Sequence, residues 1–394
     1  MPILVLLLTA AFAATADAGL LGADRDVSIG TGVALRSWTV KLEGEEDIEV
    51  GQLSVPVVLH APVGGENLDF TLYAARASSD YKISEEAKLS GFTDTQLRLS
   101  YLMSNERVLW TAGFALPTGP TDLSEEEVRV SRAISNEVLG FRTNRYGAGL
   151  DLFGSVLFAW PLTNTLSAGG GLGAARRGAF DYAPDAENGL GEVDLGDEFF
   201  ASAGASYLRR SESGGTSLNL DLTYRLFGTD QVEGADVFEE GNELVLLATA
   251  ARETERIRLT GRVRSVFKGE NSLTGSALGW NAGTDLENLV QSSIAGDRLD
   301  LGCDLTYRLT PVWSVSGTIR HSRFGEAIAE GEEEGSSVAS RGKANVTELG
   351  PALSWDATEA ILLRIGFGFL LGSADDGDAD LSGYDVVVSG TFRL

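Results

Sequence analysis

The chain has 394 residues, more than the roughly 250–300 that one globular core holds, which predicts several domains or one large closed barrel. Acidic residues outnumber basic ones 57 to 31, giving a formal net charge of −26, and so acidic a chain is not expected to bind nucleic acid. A single cysteine excludes an internal disulfide and a Cys-x-x-Cys site, and two histidines exclude a zinc site built from several imidazoles. Neither a cofactor nor a metal site is predicted.

Residues 1–18, MPILVLLLTAAFAATADA, have the pattern of a secretory signal peptide. An apolar run from Ile3 to Leu8 leads into small residues and an Ala16-Asp17-Ala18 triplet that suits signal peptidase. The run is shorter than the roughly 20 apolar residues that a membrane-spanning helix needs, and no later segment is long and apolar enough to form one. We therefore expect residues 1–18 to be removed and the mature chain, residues 19–394, to be exported.

The mature chain alternates apolar and polar residues with a period of two, which predicts β-strands. In one segment the apolar face carries Leu218, Leu220, Leu222, Tyr224 and Leu226, and the polar face carries Asn219, Asp221, Thr223 and Arg225. Residues 298–309 repeat this pattern, and the hexapeptide DLTYRL occurs in both segments. Each strand therefore has one continuous apolar face and one face that carries charge.

Such strands fit either a soluble sandwich or an outer-membrane barrel, and strand length and connection length favour the barrel. Many strands reach the roughly 9–11 residues that cross a bilayer at a tilt. Short connections, such as residues 161–165, alternate with long ones, such as 80–91, 118–143 and 325–343. This is the asymmetry of periplasmic turns and outer loops in membrane barrels.

Tryptophan placement supports the same fold. Four tryptophans lie within a few residues of a short turn and share the parity of the apolar face: Trp110, Trp160, Trp313 and Trp355. An indole ring prefers the membrane–water interface, so these residues are predicted to form one interfacial girdle. The alternative is that they are scattered core aromatics.

The predicted fold is all-β: a transmembrane, antiparallel up-and-down barrel of about 16 strands, with 14 as the alternative. The first pair, near 26–42 and 48–60, is the least regular, because the apolar parity slips between Leu35 and Trp38 and Pro56 interrupts the second strand. A bulge or an edge position is expected there. The expected partners are outer-membrane lipid, lipopolysaccharide, a small-molecule substrate and the barrel-assembly machinery, which would recognise the terminal strand ending in Phe392 and Leu394.

The segment from residue 91 to residue 119, GFTDTQLRLSYLMSNERVLWTAGFALPTG, resembles a hairpin of outer-membrane transporters in the fatty-acid-transporter (FadL-like) superfamily. It is most similar to the meta-pathway phenol degradation type. The matching positions are Gly91, Asp94, Thr95, Tyr101, Leu116, Pro117, Thr118 and Gly119. The resemblance implies passage of hydrophobic or aromatic compounds, although no recognisable N-terminal plug precedes the first strand.

One strand carries an unusual set of basic residues on its predicted lumen face. These are Arg256, Arg258, Arg262, Arg264 and Lys268. Inward charge in a pore favours ions of opposite sign, so this basic ladder is a candidate selectivity element. The alternative is a salt ladder with Asp300 and Asp304 on the next strand, which would fix the register and neutralise the field.

Two loop features complete the predictions. Ser124 followed by Glu125-Glu126-Glu127 is typical of a helix start, and we expect residues 120–140 to fold partly over the pore mouth as a constriction. Acidic clusters crowd the long loops, at 43–47, 122–127, 181–197, 239–243, 330–334 and 375–380. They are either solvated outer loops or bridges through divalent cations to lipopolysaccharide or neighbouring loops.

No enzymatic activity is predicted. His321 and Ser322 are adjacent near a strand end, but His321 has lipid-facing parity and no orienting Asp or Asn is identifiable. The GGGLG run at 169–173 lies within a strand and is expected to allow curvature or the approach of an inward loop. The preferred function is a channel for small hydrophobic or aromatic molecules. The alternatives are a general porin for hydrophilic or anionic solutes and a structural or surface-interaction barrel that uses its acidic loops.

Overall fold

The computed structural model describes residues 27–394, apart from 43, 45, 64–66, 84, 104–105, 183–190, 212–213, 274–295 and 331–336. The predicted signal peptide lies outside the described residues. No helix in the described part of the chain is both long enough and apolar enough to cross a membrane.

The strands, numbered in chain order, form one large antiparallel sheet whose first and last members pair with each other. Its strands are β1 (Ser28–Leu42), β2 (Ile48–Pro62), β3 (Leu68–Lys82), β4 (Glu86–Phe92), β5 (Thr95–Leu102), β6 (Val108–Leu116), β7 (Asp151–Pro161), β8 (Leu166–Arg176), β11 (Glu198–Ser211), β12 (Gly214–Phe227), β15 (Glu243–Glu253), β16 (Ile257–Lys268), β18 (Arg298–Arg308), β19 (Trp313–Phe324), β22 (Ala344–Thr358), β23 (Ile361–Ala374) and β24 (Ala379–Arg393). β4 and β5 occupy one position, because both pair with β3 on either side of a break at Thr93 and Asp94. The sheet is therefore a closed barrel of 16 strands, as predicted.

The barrel's outer surface is an apolar belt. Leu218 is 50% exposed, and the other apolar residues of its face on β12 are similarly open, whereas the polar residues between them point inward and are partly buried. The same alternation runs along β11, β18 and β22. An apolar exterior and a polar interior are the reverse of a soluble protein, and a closed sheet leaves no unpaired edge to meet lipid. The protein is an outer-membrane β-barrel.

The long connections at one end form a second structure, which we call the outer sheet. Its seven strands are β9 (Phe180–Tyr182), β10 (Gly191–Asp194), β13 (Thr229–Val232), β14 (Ala235–Glu239), β17 (Asn271–Leu273), β20 (Ala327–Glu330) and β21 (Ser337–Arg341). Val193, Val232 and Val237 are almost completely buried in its own apolar cluster. Several loops expected to be solvated therefore build a wall that continues the barrel beyond its long-loop end.

Three local expectations were wrong. Pro56 lies in β2, which pairs on both sides, and the register with β1 is unchanged across it, so it marks neither a bulge nor an edge. The apparent parity slip arises because Trp38 faces the lumen, where it is 1% exposed. Residues 80–91 are not a long loop, since β3 runs to Lys82 and β4 begins at Glu86. In each case an inward-facing apolar or small residue disturbed the two-residue pattern.

Candidate functional site: the barrel lumen

The connection between β6 and β7, residues 117–150, folds into the barrel, and we call it the lumen loop. It contains the helix α1, Glu125–Ser135, which begins at the predicted place. Ser124 caps the helix by accepting from the Glu127 N–H, and the Glu127 carboxylate accepts from the Ser124 N–H in return. Together with two further acidic residues in the first turn, this capping box explains why the helix starts there.

Apolar packing fixes the lumen loop to one side of the barrel. Val128, Val130 and Ile134 of α1 are buried in a cluster with strand residues that point inward, including Trp38 and Leu370. Burying each such aliphatic side chain stabilises the packed arrangement by about 1.5–3 kcal/mol. The cluster draws its strand residues from β1–β4, β19 and β22–β24, so the loop covers that wall near the long-loop end.

Polar tethers add to this packing. The Gln52 amide donates to the Thr143 carbonyl at 2.6 Å and accepts from the Thr143 N–H at 2.9 Å. The Trp38 indole N–H donates to the Leu139 carbonyl at 2.8 Å. Arg36 donates to the Gly140 carbonyl at 2.6 Å, and Gly140 itself has a φ of +57° that favours glycine. The loop is thus held by its backbone as well as by its side chains.

Several of the residues that match the family hairpin form the joint from which the lumen loop departs and to which it returns. Asp94 accepts from the Gly119 N–H at 2.9 Å and from the Ala148 N–H at 2.7 Å, so one carboxylate holds both ends of the loop. Thr118 donates to the Thr93 carbonyl and accepts from the Thr95 N–H.

The remaining hairpin positions divide between this joint and the barrel exterior. A Cβ at Gly91 would press on Pro120, and one at Gly119 would collide with the Tyr146 backbone. Tyr101 and Leu116 are exposed on the outer face, and Pro117 directly follows the end of β6. Gly91, Asp94, Thr95, Thr118 and Gly119 therefore position the loop, a role that sequence alone did not suggest.

The predicted basic ladder divides into two halves. Near the long-loop end, Arg264 pairs with Asp300 at 3.3 Å, and Lys268, 2% exposed, pairs with Glu240 at 2.6 Å and with Glu243 at 3.1 Å. Asp300 is shared with Arg298 and accepts from the Ser322 hydroxyl. This half matches the salt-ladder alternative, although two of its acids come from outside β18.

The other half of the ladder lies toward the short turns and is more open. Arg258 and Arg262 are exposed on the lumen face of β16, whereas Arg256 lies in the turn before the strand begins at Ile257. Asp304 accepts a hydrogen bond from the Thr318 hydroxyl at 2.6 Å. Two lumen-facing arginines that the sequence analysis did not single out, Arg320 and Arg364, are also exposed here.

A buried ion network on the neighbouring strands was also missed. Arg225 of β12 lies 3.7 Å from Glu198 and 3.5 Å from Glu243, and Arg177 lies 3.2 Å from Glu198. The network continues through Glu240, whose burial raises the pKa of its carboxyl to about 7, although Lys268 works against this shift. In the sequence, these charged residues have the parity of the lumen face and lie near the ends of successive strands. Only the pairing of the strands shows which of the charges contact each other.

Three large apolar side chains lie flat on the lumen wall formed by β6, β7, β8 and β11. Phe153 lies over Gly113, Leu157 over Gly171, and Phe200 over Gly173, so closely that a Cβ on any of these glycines would collide with the side chain above it. We call Phe153, Leu157 and Phe200 the apolar shelf. The glycine run at 169–173 is therefore covered by side chains of neighbouring strands, not by an inward loop. Glycine lets these large groups lie flat against the wall instead of projecting across the lumen.

On the outer face, the four tryptophans lie near the short turns. Trp110, Trp160 and Trp355 are exposed, and Trp313 stacks on Trp355 with ring centroids 5.4 Å apart.

The side chains of His321 and Ser322 form hydrogen bonds with different partners. A ring nitrogen of His321 shares a hydrogen bond of 3.0 Å with the Thr347 hydroxyl, and the Ser322 hydroxyl donates to Asp300. Among the described residues no group of three or more His, Cys, Asp or Glu could hold a metal ion.

No protein-family model matches the chain, and no curated protein matches it significantly. Solved structures of similar architecture include a bacterial polysaccharide outer membrane secretin, with 10% identity and a TM-score of 0.45, covering 94% of this chain and 99% of that one. OpdQ of Pseudomonas aeruginosa has 11% identity and a TM-score of 0.44, covering 94% and 98%. OprD of the same organism has 11% identity and a TM-score of 0.43, covering 93% and 94%. With TM-scores below 0.5, these likenesses carry no functional argument.

Proposed function

We propose that this protein is an outer-membrane channel that passes small solutes through its lumen, with the short-turn end in the periplasm. The observation that carries the proposal is the arrangement of the lumen loop. Asp94 holds both of its ends and Gln52 and Trp38 hold its middle, so the loop narrows one side of the barrel while arginines beyond it stay exposed. A water-filled, charged lumen with a fixed constriction is the construction of a selective pore.

Planar-bilayer recording tests the proposal. The refolded wild-type protein should give discrete conductance steps, and removal of residues 121–145 should enlarge them because the constriction is gone. Protein that inserts into the bilayer without conducting would overturn the channel function. Equal conductance with and without the loop would remove the loop from the solute path.

The substrate class that we favour is small hydrophobic or aromatic molecules, and the apolar shelf supports it with three large side chains on the lumen wall. A transporter of the fatty-acid-transporter type stays a proposal that depends on the 91–119 hairpin. The second candidate is a porin for small anions, which the exposed Arg258, Arg262 and Arg320 favour. Liposome-swelling rates for neutral aromatic, anionic and cationic solutes of equal size separate the two candidates.

A structural or surface role through the acidic outer loops is the weaker alternative. Some of the acidic loop residues form ion pairs within the protein, for example Glu240 with Lys268. These carboxylates stabilise the protein's own structure and are not available to an external partner. Exposed lumen arginines have no part in such a role. Expected interactions with lipopolysaccharide and with the barrel-assembly machinery stay predictions.

A further inference from the structure

Arg98 is a lumen-facing arginine whose position and surroundings differ from those of the basic ladder. It lies on β5, opposite Thr71 of β3 and Gly113 of β6, well away from the basic ladder. Its Nε is buried and makes no hydrogen bond, and in the described part of the chain no carboxylate lies within ion-pair distance of it. Asp69 is the acid whose charge reaches it, but Asp69 lies 3.9 Å from His60 instead.

An unpaired, half-buried guanidinium is costly. A buried polar group without a partner costs about 1–3 kcal/mol, and more when it is charged. The same wall holds three further buried polar atoms without a partner, Gln96 Oε1 on the same strand, Asp151 Oδ1 on β7 and Ser202 Oγ on β11. Such groups collect where a bound ligand completes their hydrogen bonds.

Arg98 lies opposite the polar Thr71 on its β3 side and borders apolar groups on its β6–β7 side. Gly113 faces Arg98 directly across the β5–β6 ladder, and the ring of Phe153 lies over Gly113. Leu157 and Phe200 extend the shelf across β7, β8 and β11. One cation without a partner thus borders a flat apolar surface on a single wall of the lumen.

We propose that Arg98 and the apolar shelf form a binding site for a small organic carboxylate with a flat apolar body. The guanidinium would hold the carboxylate, for which its planar fork of donors is suited, and the ring of the ligand would lie against Phe153 and its neighbours on the shelf. This inference rests on the proposed channel function and names the substrate class of the same lumen. It also reconciles the two substrate candidates, because the ligand is both aromatic and anionic.

Calorimetric titration of the refolded barrel in detergent tests the site without requiring transport. Benzoate is the probe, acetate supplies the head group alone and benzyl alcohol supplies the ring alone. Benzoate should bind about tenfold more tightly than either fragment, which corresponds to ~1.4 kcal/mol. Equal binding of all three probes, or no binding of benzoate at millimolar concentration, would overturn the site.

Variants locate the binding. Arg98→Gln should weaken benzoate binding about tenfold or more, and Arg98→Lys, which keeps the charge but loses the fork, should lie between. Phe153→Ser should weaken benzoate but leave acetate unchanged. The matched control is Arg364→Gln, which removes another exposed lumen arginine and should leave benzoate within about twofold. A variant Arg98→Gln that folds and keeps wild-type affinity would refute the assignment.

Bilayer recordings separate this site from the channel function. If the protein conducts and benzoate neither binds nor reduces the ionic current, the site is refuted and the channel stands. If benzoate binds in an Arg98-dependent way but no current flows, the channel is refuted and the site stands.

Discussion

Gln52 of the barrel wall and Thr143 of the lumen loop exchange two hydrogen bonds. The Gln52 amide donates to the Thr143 carbonyl, and the Thr143 N–H donates to the Gln52 side-chain carbonyl oxygen. Both residues are buried, and 91 positions separate them in the chain. The Gln52 side chain and the Thr143 backbone thus make the same reciprocal pair of hydrogen bonds as two residues of neighbouring antiparallel strands. This pair fixes the position of the lumen loop along β2.

Substitution Gln52→Leu should loosen the lumen loop. Both bonds are lost and the Thr143 backbone groups stay buried without partners, so docking should weaken by about 2–3 kcal/mol. We expect noisier single-channel currents with transitions to a larger conductance, and faster protease cleavage within residues 120–147. The control Gln96→Leu alters a lumen-facing glutamine that does not tether the loop. Steady, wild-type currents from Gln52→Leu would show that apolar packing alone holds the loop.

The open half of the basic ladder should set ion selectivity. Arg258 and Arg262 are exposed in the lumen, so replacing both with serine should shift the reversal potential toward cations, by an amount that shrinks as salt rises. Arg264 is the matched comparison, because its charge is already balanced by Asp300. Anion preference that survives the double substitution would contradict a role in selectivity.

The carboxyl of Glu240 predicts a pH dependence of the outer sheet. Burial raises its pKa from 4.5 to about 7, and the charges that face it are Lys268, Glu243 and Arg177. The unfolded state ionises from pH 4.5 upward while the folded state stays protonated until about 7, so local stability is full below pH 4.5 and is lost as pH rises through 7. The protection factors of the amides in β13 and β14, which correct for the intrinsic pH dependence of exchange, should therefore be higher at pH 5 than at pH 8.

The variant Glu240→Gln isolates this effect. It keeps the shape of the side chain and removes the titration, so the difference in protection factor between pH 5 and pH 8 should shrink. Glu239→Gln, at an exposed neighbouring position, is the control and should leave the difference intact. A pH dependence that is unchanged in Glu240→Gln would assign it to another group.

Topology is testable on intact cells. A tag inserted in the β13–β14 turn at Glu233 and Gly234 should be reachable by antibody, whereas one in the short turn at 163–164 should not. The structure changes the expectation for 118–143, since the lumen loop is folded inside and a tag there should be labelled poorly. Labelling at 163–164 alone would reverse the orientation.

The period-two alternation by itself predicted most of the barrel strands, the lipid face and a number of about 16 strands, with 14 as the alternative. This is possible because lipid demands an apolar exterior from every strand independently of its neighbours, so each segment carries its own signal. The capping sequence Ser124 to Glu127 likewise located α1, since its hydrogen bonds are local.

Only the tertiary structure decided what the interior residues do. In the sequence Trp38 interrupts the apolar parity of its strand, and only the folded lumen loop shows its partner, the Leu139 carbonyl, 101 positions away. The sequence predicts Asp300 and Asp304 as the acids that could neutralise the basic ladder, whereas Lys268 is paired with Glu240 from the β14–β15 connection. That the Arg98 Nε lacks a hydrogen-bond partner is likewise visible only in the folded barrel. The partners of lumen residues are set by barrel closure and loop docking, which bring together distant segments, and no local periodicity records those contacts.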